Sequence, residues 1–229
     1  MKFRFKLPAL LTVFALLSLP VIVVGQLTIV GYDSTNPNGA SGAASPNLNA
    51  AESASDVVAS QYARGPGLVA NQGITLNSSG WSTSSSLNLG SDDYLTWGWT
   101  TGAGTYDLEN MTLQYDRSGS GPTRLAIAVS INGGGLQTVF SDSSVFIGDE
   151  THTIDLTSFD DVMSAEFRLF GYNASSAGGT LDIERFNADP DPSRAIVVRG
   201  FATAVPEPTT SLLLTGIGLT TIIRRRRRA

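Results

Sequence analysis

The chain has 229 residues, no cysteine, one histidine, and 15 basic against 20 acidic residues, for a formal net charge of −5. Three of the basic residues lie before residue 7 and five at 224–228, so residues 26–204 hold seven arginines, no lysine and 19 carboxylates, a net charge of −12. That balance excludes a nucleic-acid binder, which needs clustered lysine and arginine against phosphate, and the lack of cysteine excludes disulfides, thiol nucleophiles and Cys-ligated metals.

Lys2, Arg4 and Lys6 precede an apolar run from Leu7 to Val24, interrupted by Pro8, Ser18 and Pro20. This is the charge and hydropathy pattern of a secretory signal peptide, residues 1–25, which engages the Sec export machinery. Val23 and Gly25 supply the small residues before a cleavage site, so the mature chain starts near Gln26. Residues 26–204 then suit one domain with a sizeable core.

Leu27 to Tyr32 reads as a first strand, and the Ser/Asn/Ala/Gly-rich stretch 33–56 reads as a flexible loop, because it holds too little apolar surface to offset its ordering. Alternation then takes over. Strands are expected at Tyr94 to Trp99, Leu108 to Arg117 and Leu125 to Ile131, with Gly133-Gly134-Gly135 turning the chain into a hairpin partner at Leu136 to Phe140. His152 to Leu156, Glu166 to Tyr172, Leu181 to Phe186 and Ile196 to Phe201 continue the series. Arg117 to Pro122, "RSGSGP", reads as a hairpin loop and not a phosphate cradle, since it opens no helix. No segment between the two ends sustains a 3.6-residue period, so the fold expected is an all-β sandwich, with jelly-roll-like closure protecting its edges.

The tail, residues 205–229, has three parts: Val205-Pro206-Glu207-Pro208, an apolar stretch from Thr209 to Ile223, and Arg224, Arg225, Arg226, Arg227 and Arg228. As a helix, residues 209–223 span about 22 Å against a hydrocarbon core of about 30 Å, a short and Thr-rich transmembrane segment. The arginine cluster holds the C-terminus in the cytoplasm and leaves the prolines on the outer face. Pro206 and Pro208 fix their own φ and push the preceding residues to extended conformations, a shape that fits a cleft and not a helix.

In its order and position this tail resembles the PEP-CTERM sorting signal of Gram-negative bacteria that make exopolysaccharide. The resemblance implies recognition by an exosortase, a membrane cysteine protease-transpeptidase, then transfer from a transient inner-membrane anchor to the cell envelope, outer surface or extracellular matrix. The body also resembles a recurrent PEP-CTERM ectodomain, in "ARGPGL" near Arg64, "NSSGW" at Asn77 to Trp81, "SDDYLTW" at Ser91 to Trp97, "YDRSGSGPTRLAIAVSINGG" at Tyr115 to Gly134, "HTIDL" at His152 to Leu156 and "FRLFGYNASSAGGTLDIERF" at Phe167 to Phe186. That resemblance implies a β-sandwich related to carbohydrate-binding jelly rolls, and it carries no catalytic residues across.

The residues themselves point to little catalysis. His152 is the single imidazole and no G-x-S-x-G elbow presents a nucleophile, so it reads as structural or surface, and a His-rich zinc site is excluded. Carboxylate pairs occur at Asp92/Asp93, Asp149/Glu150 and Asp160/Asp161; adjacent strand residues point to opposite faces, so none is a glycosidase dyad, and calcium is the better use for them. No EF-hand loop accompanies them, and solvated turn residues are the preferred reading over calcium. Trp97 and Trp99, two apart, share a strand face and with Tyr172 are the candidates to stack on a sugar ring, unless they fill the core. Three readings stand: a non-catalytic envelope or matrix protein associated with exopolysaccharide, a lectin-like carbohydrate-binding module, and an exported hydrolase.

Overall fold

The computed structural model describes residues 25–33, 47–71, 76–184 and 194–203, and the signal-peptide and C-terminal helix segments lie outside them. Among the described residues no helix is long and apolar enough to cross a membrane. In chain order the strands are β1 (Leu27–Asp33), β2 (Glu52–Ser53), β3 (Val57–Ala59), β4 (Ala63–Arg64), β5 (Val69–Ala70), β6 (Ser78–Ser79) and β7 (Tyr94–Thr101). There follow β8 (Thr105–Arg117), β9 (Pro122–Ile131), β10 (Gln137–Asp142), β11 (Glu150–Asp155), β12 (Ser164–Ala174), β13 (Leu181–Glu184) and β14 (Arg194–Thr203).

They form two antiparallel sheets. The eight-stranded one runs β2-β1-β14-β8-β13-β6-β5, with β11 on the other flank of β8; the six-stranded one runs β10-β9-β12-β7-β3, with β4 also on β7. Strict alternation builds the interior: Leu125, Ile127 and Val129 of β9, Phe167 and Leu169 of β12, and Trp97 and Trp99 of β7 meet Met111, Leu113 and Tyr115 of β8 and Ile196 and Val198 of β14 in one core. Trp97 lies parallel to Phe167 at 5.8 Å between ring centroids, and Tyr62 meets its edge at 6.1 Å.

Two expectations change. Residues 47–56 are tied to the sandwich instead of running free: Leu48 is buried and bridges Tyr62, Ala51 and Ala54 donate to the Gly31 and Ile29 carbonyls, and the two-residue β2 extends the sheet beside β1. Backbone pairing and a few apolar anchors order what composition alone left loose, while residues 34–46 lie outside the described part. The 117–122 segment, expected to close a hairpin, instead carries the chain from β8 in one sheet to β9 in the other, with Ser118 taken up by the Thr180 carbonyl.

The β9–β10 hairpin forms as expected, but its turn falls one residue early. Asn132 and Gly133 both have positive φ, 51° and 73°, and Gly134 donates to the Ile131 carbonyl, the geometry an Asn-Gly pair favours. At the far side of the eight-stranded sheet the mostly buried Arg194 fastens β14 to β1 and β2 through Asp33 at 2.5 Å and Glu52 at 2.9 Å. The last residue of β14, Thr203, pairs with Thr105 at the start of β8, so Arg117, at the other end of β8, marks the opposite end of the sandwich.

Candidate functional site

Trp97 and Trp99 are 0% and 2% exposed, inside the core between the sheets, and neither can stack on a sugar ring. They share a face, as their spacing predicts, and that face is the inner one. The physical reason is visible in β7 itself: the opposite positions Thr96, Gly98 and Thr100 are small or polar and offer far less apolar surface to bury than the two indoles, which go inward. Tyr172 lies apart from them. It is five positions beyond Phe167 and therefore on the alternate side of β12, half-buried, where it and Phe170 line a narrow gap beneath Ser82, Leu87 and Asp93.

The outer surface of the six-stranded sheet is thus divided. One part is covered by residues 82–93: Arg124 donates to the Ser85 carbonyl, Asn173 and Ala174 donate to Ser84 and Ser82, and Phe170 is buried although it lies outside the central core. The other part is open. There Val58, Ser60, Thr100, Ser130, Ser164 and Glu166 line a recess of about 400 Å³.

Gly98 lies beside the recess, next to its lining residues Trp99 and Thr100. A Cβ at this position would stand 2.1 Å from the Ala165 carbonyl oxygen, so only glycine permits β12 this close, and no side chain rises between Thr96 and Thr100. The Gly98 carbonyl is fixed from below by Tyr32, whose hydroxyl crosses from the eight-stranded sheet to donate at 3.0 Å, and from the side by the Ser60 N–H at 2.9 Å and hydroxyl at 3.1 Å. Burial raises the Tyr32 phenol above its ordinary pKa, keeping it a donor. Val58, 69% exposed, gives the recess an apolar wall; the Thr100 and Ser164 hydroxyls give it donors, and the Ser60 and Ser130 hydroxyls, whose protons go to the Gly98 and Gly134 carbonyls, offer acceptor oxygens.

One charge completes it. Glu166 is exposed and held by the Arg168 Nε at 2.6 Å, and the Arg168 guanidinium lies over the Tyr94 ring, 4.5 Å from its centroid. Tyr94 in turn meets Phe170 at 5.7 Å. The row Glu166, Arg168, Tyr94 and Phe170 connects the recess to the covered half of the face. Chemically the arrangement can present hydroxyls, one carboxylate and a short apolar wall to a polar, ring-shaped or polymeric ligand.

The carboxylate pairs weighed for calcium lie at or near the surface. Asp92 is exposed with Asp93 half-buried beside Gly67, Asp160 and Asp161 are both exposed, and Asp149 is exposed while Glu150 turns inward. The sorting residues Val205, Pro206, Glu207 and Pro208 and the arginines 224–228 lie outside the described part of the chain.

Residues 204–228 match the family model for the PEP-CTERM protein-sorting motif, beginning one residue after β14 ends. This chain carries a PEP-CTERM sorting motif. The motif indicates an exported protein that is anchored at the membrane and sorted through its C-terminal segment. No curated protein matches the chain. Among solved structures, a carbohydrate binding module of family 29 is similar at 13% identity and a TM-score of 0.37, covering 79% of this chain and 91% of that one. A variant of a family 29 module complexed with mannohexaose is similar at 13% identity and a TM-score of 0.37, over 76% and 92% of the two chains.

Proposed function

We propose that this PEP-CTERM protein is a non-catalytic component of the cell envelope or extracellular matrix of a Gram-negative bacterium. Sec exports it, an exosortase-type membrane enzyme processes its tail at Val205 to Pro208, and a jelly-roll-like sandwich is delivered to the surface to associate with exopolysaccharide. The observation that carries this reading is the direct join between body and tail: β14 is an interior strand of the larger sheet, and the motif begins at the residue after Thr203. No intervening domain or long linker separates them, so whatever holds the tail holds the sandwich.

A lectin-like role is favoured by the recess beside Gly98. Its volume of about 400 Å³ falls within the roughly 300–1,000 Å³ typical of small-ligand pockets. Its polar groups are mainly hydroxyls, suited to sugar hydroxyls, and Glu166 is its one carboxylate, whereas a glycosidase needs two across the scissile bond. The net charge of −12 between residues 26 and 204 favours neutral over anionic glycans.

Affinity electrophoresis of the full chain through gels containing exopolysaccharide from the producing cells tests the association. Retarded migration is expected, and Glu166→Ala or Thr100→Trp, the latter filling the recess, should weaken the apparent affinity at least about tenfold. Unretarded migration of the unaltered chain would count against polysaccharide association, and equal retardation of both variants would count against the recess.

A further inference from the structure

At the end of the sandwich remote from Thr203, the two sheets meet along their edge strands, β10 and β11, joined by residues 143–149. Asp142 closes β10; Glu150 and His152 alternate with the exposed Thr151 and Thr153 and so face inward. One ligand atom from each of Asp142, Glu150 and His152 lies within 4.8 Å of the others, and all three residues are half-buried. From the geometry we infer that Asp142, Glu150 and His152 form a binding site for a first-row divalent transition metal of the zinc class.

The ligand atoms are already oriented. The His152 ring lies parallel to Tyr115 at 5.1 Å and against Phe140 at 4.9 Å, which restricts its rotamer. Asp142 accepts the Ser144 N–H at 2.8 Å on Oδ1, which leaves Oδ2 turned toward the cluster, where the Tyr115 hydroxyl donates to it at 2.9 Å. Hydrogen bonds to the ligating groups, of this kind, fix ligand direction in metal sites.

Protons alone serve the cluster incompletely. His152 Nε2 is 2.8 Å from the Tyr115 oxygen and 3.2 Å from Glu150 Oε1, while the same Tyr115 hydroxyl is bound to Asp142. One hydroxyl hydrogen and one ring hydrogen have to cover three contacts, so the ring N–H is at best shared between the Tyr115 oxygen and Glu150. A cation in place of the ring proton would take His152 Nε2, Glu150 Oε1 and Asp142 Oδ2 as its ligands, with the His152 proton on Nδ1.

Among the described residues no arginine is ion-paired to Asp142, Glu150 or His152. Arg117, the arginine at this end of β8, is directed at the Val145 and Ser118 carbonyls. Asp116 and Asp149, the chain neighbours of Tyr115 and Glu150, act together with Asp182 on Glu184, so this end of the sandwich carries several carboxylates. One imidazole with two carboxylates at a partly open position is a zinc-type donor set, with remaining positions for water; calcium would require about six to eight oxygens.

The inference is independent of the recess and of any glycan. Its test is isothermal titration of the full chain, chelator-treated and held in mild detergent, with Zn²⁺, Mn²⁺ and Ca²⁺ separately. One equivalent of Zn²⁺ is expected to bind, more tightly than Ca²⁺. Asp142→Asn and Glu150→Gln, which keep side-chain shape, should each weaken Zn²⁺ at least about tenfold, as should Tyr115→Phe through loss of its hydroxyl. Near-UV circular dichroism identifies the variants that keep the native packing, and those alone are compared. Absence of saturable Zn²⁺ binding, binding unchanged in the folded variants, or tighter Ca²⁺ than Zn²⁺ would each overturn the assignment.

Discussion

Replacing Trp97 by alanine separates a packing role from a sugar-stacking one. The indole is fully buried, parallel to Phe167 and edge-on to Tyr62, so truncation removes the transfer energy of a large side chain, leaves a cavity and ends an aromatic pair. Such losses run to about 3–5 kcal/mol, and the lost ring pairing places this one in the upper half, near 4–5 kcal/mol. At about 2–4 °C per kcal/mol for a domain of this size, the thermal midpoint should fall by about 8–20 °C. Trp97→Phe should behave differently. The Trp97 indole N–H has no acceptor among the described residues, and removing a buried unsatisfied donor recovers about 1–3 kcal/mol against the smaller loss of volume. The expected net cost is about 0–2 kcal/mol. Differential scanning calorimetry of the full chain in mild detergent measures both. A loss below about 2 kcal/mol for the alanine variant, or equal losses for the two, would refute the packing argument.

Gly98→Ala puts a methyl group 2.1 Å from the Ala165 backbone oxygen, which a side-chain rotation cannot relieve. A loss of at least about 2 kcal/mol by urea titration is expected, and a neutral substitution would mean that β7 and β12 do not approach so closely. The Glu184 carboxyl is pushed up to about 7, first by burial and then by Asp182, Asp149 and Asp116. Being raised in the folded chain, it favours folding at pH below its ordinary value of 4.5, and that contribution is lost as pH rises through about 7. Glu184→Gln should therefore melt above the unaltered chain at pH 8, with the gap closing toward pH 4.5; a gap that is constant across thermal melts in this window would contradict the shift.

Nine strands could be read from the sequence because each has an apolar alternation long enough to count, as in Leu125, Ile127 and Val129. β2 to β6 could not, since two or three residues such as Glu52–Ser53 or Ser78–Ser79 carry no period and exist only through their neighbours' backbone. The spacing of Trp97 and Trp99 showed a shared side but not which side. The small and polar residues between and beside them, Thr96, Gly98 and Thr100, held that information, and Thr100 lines the recess. The meeting of Asp142 with His152 had no local signal at all, because the two stand on edge strands of different sheets and only the tertiary fold brings them together.

Intact-mass analysis of the protein recovered from envelope and extracellular fractions tests the sorting role most directly. The mature chain is expected to begin near Gln26, to end at or near Val205 to Pro208 and to lack Arg224 to Arg228. Pro206→Ala with Pro208→Ala should leave the tail uncut, by removing the extended shape of the recognition segment. Recovery of the unaltered protein at the outer surface with all five arginines still attached would contradict it, and would make the tail an ordinary anchor.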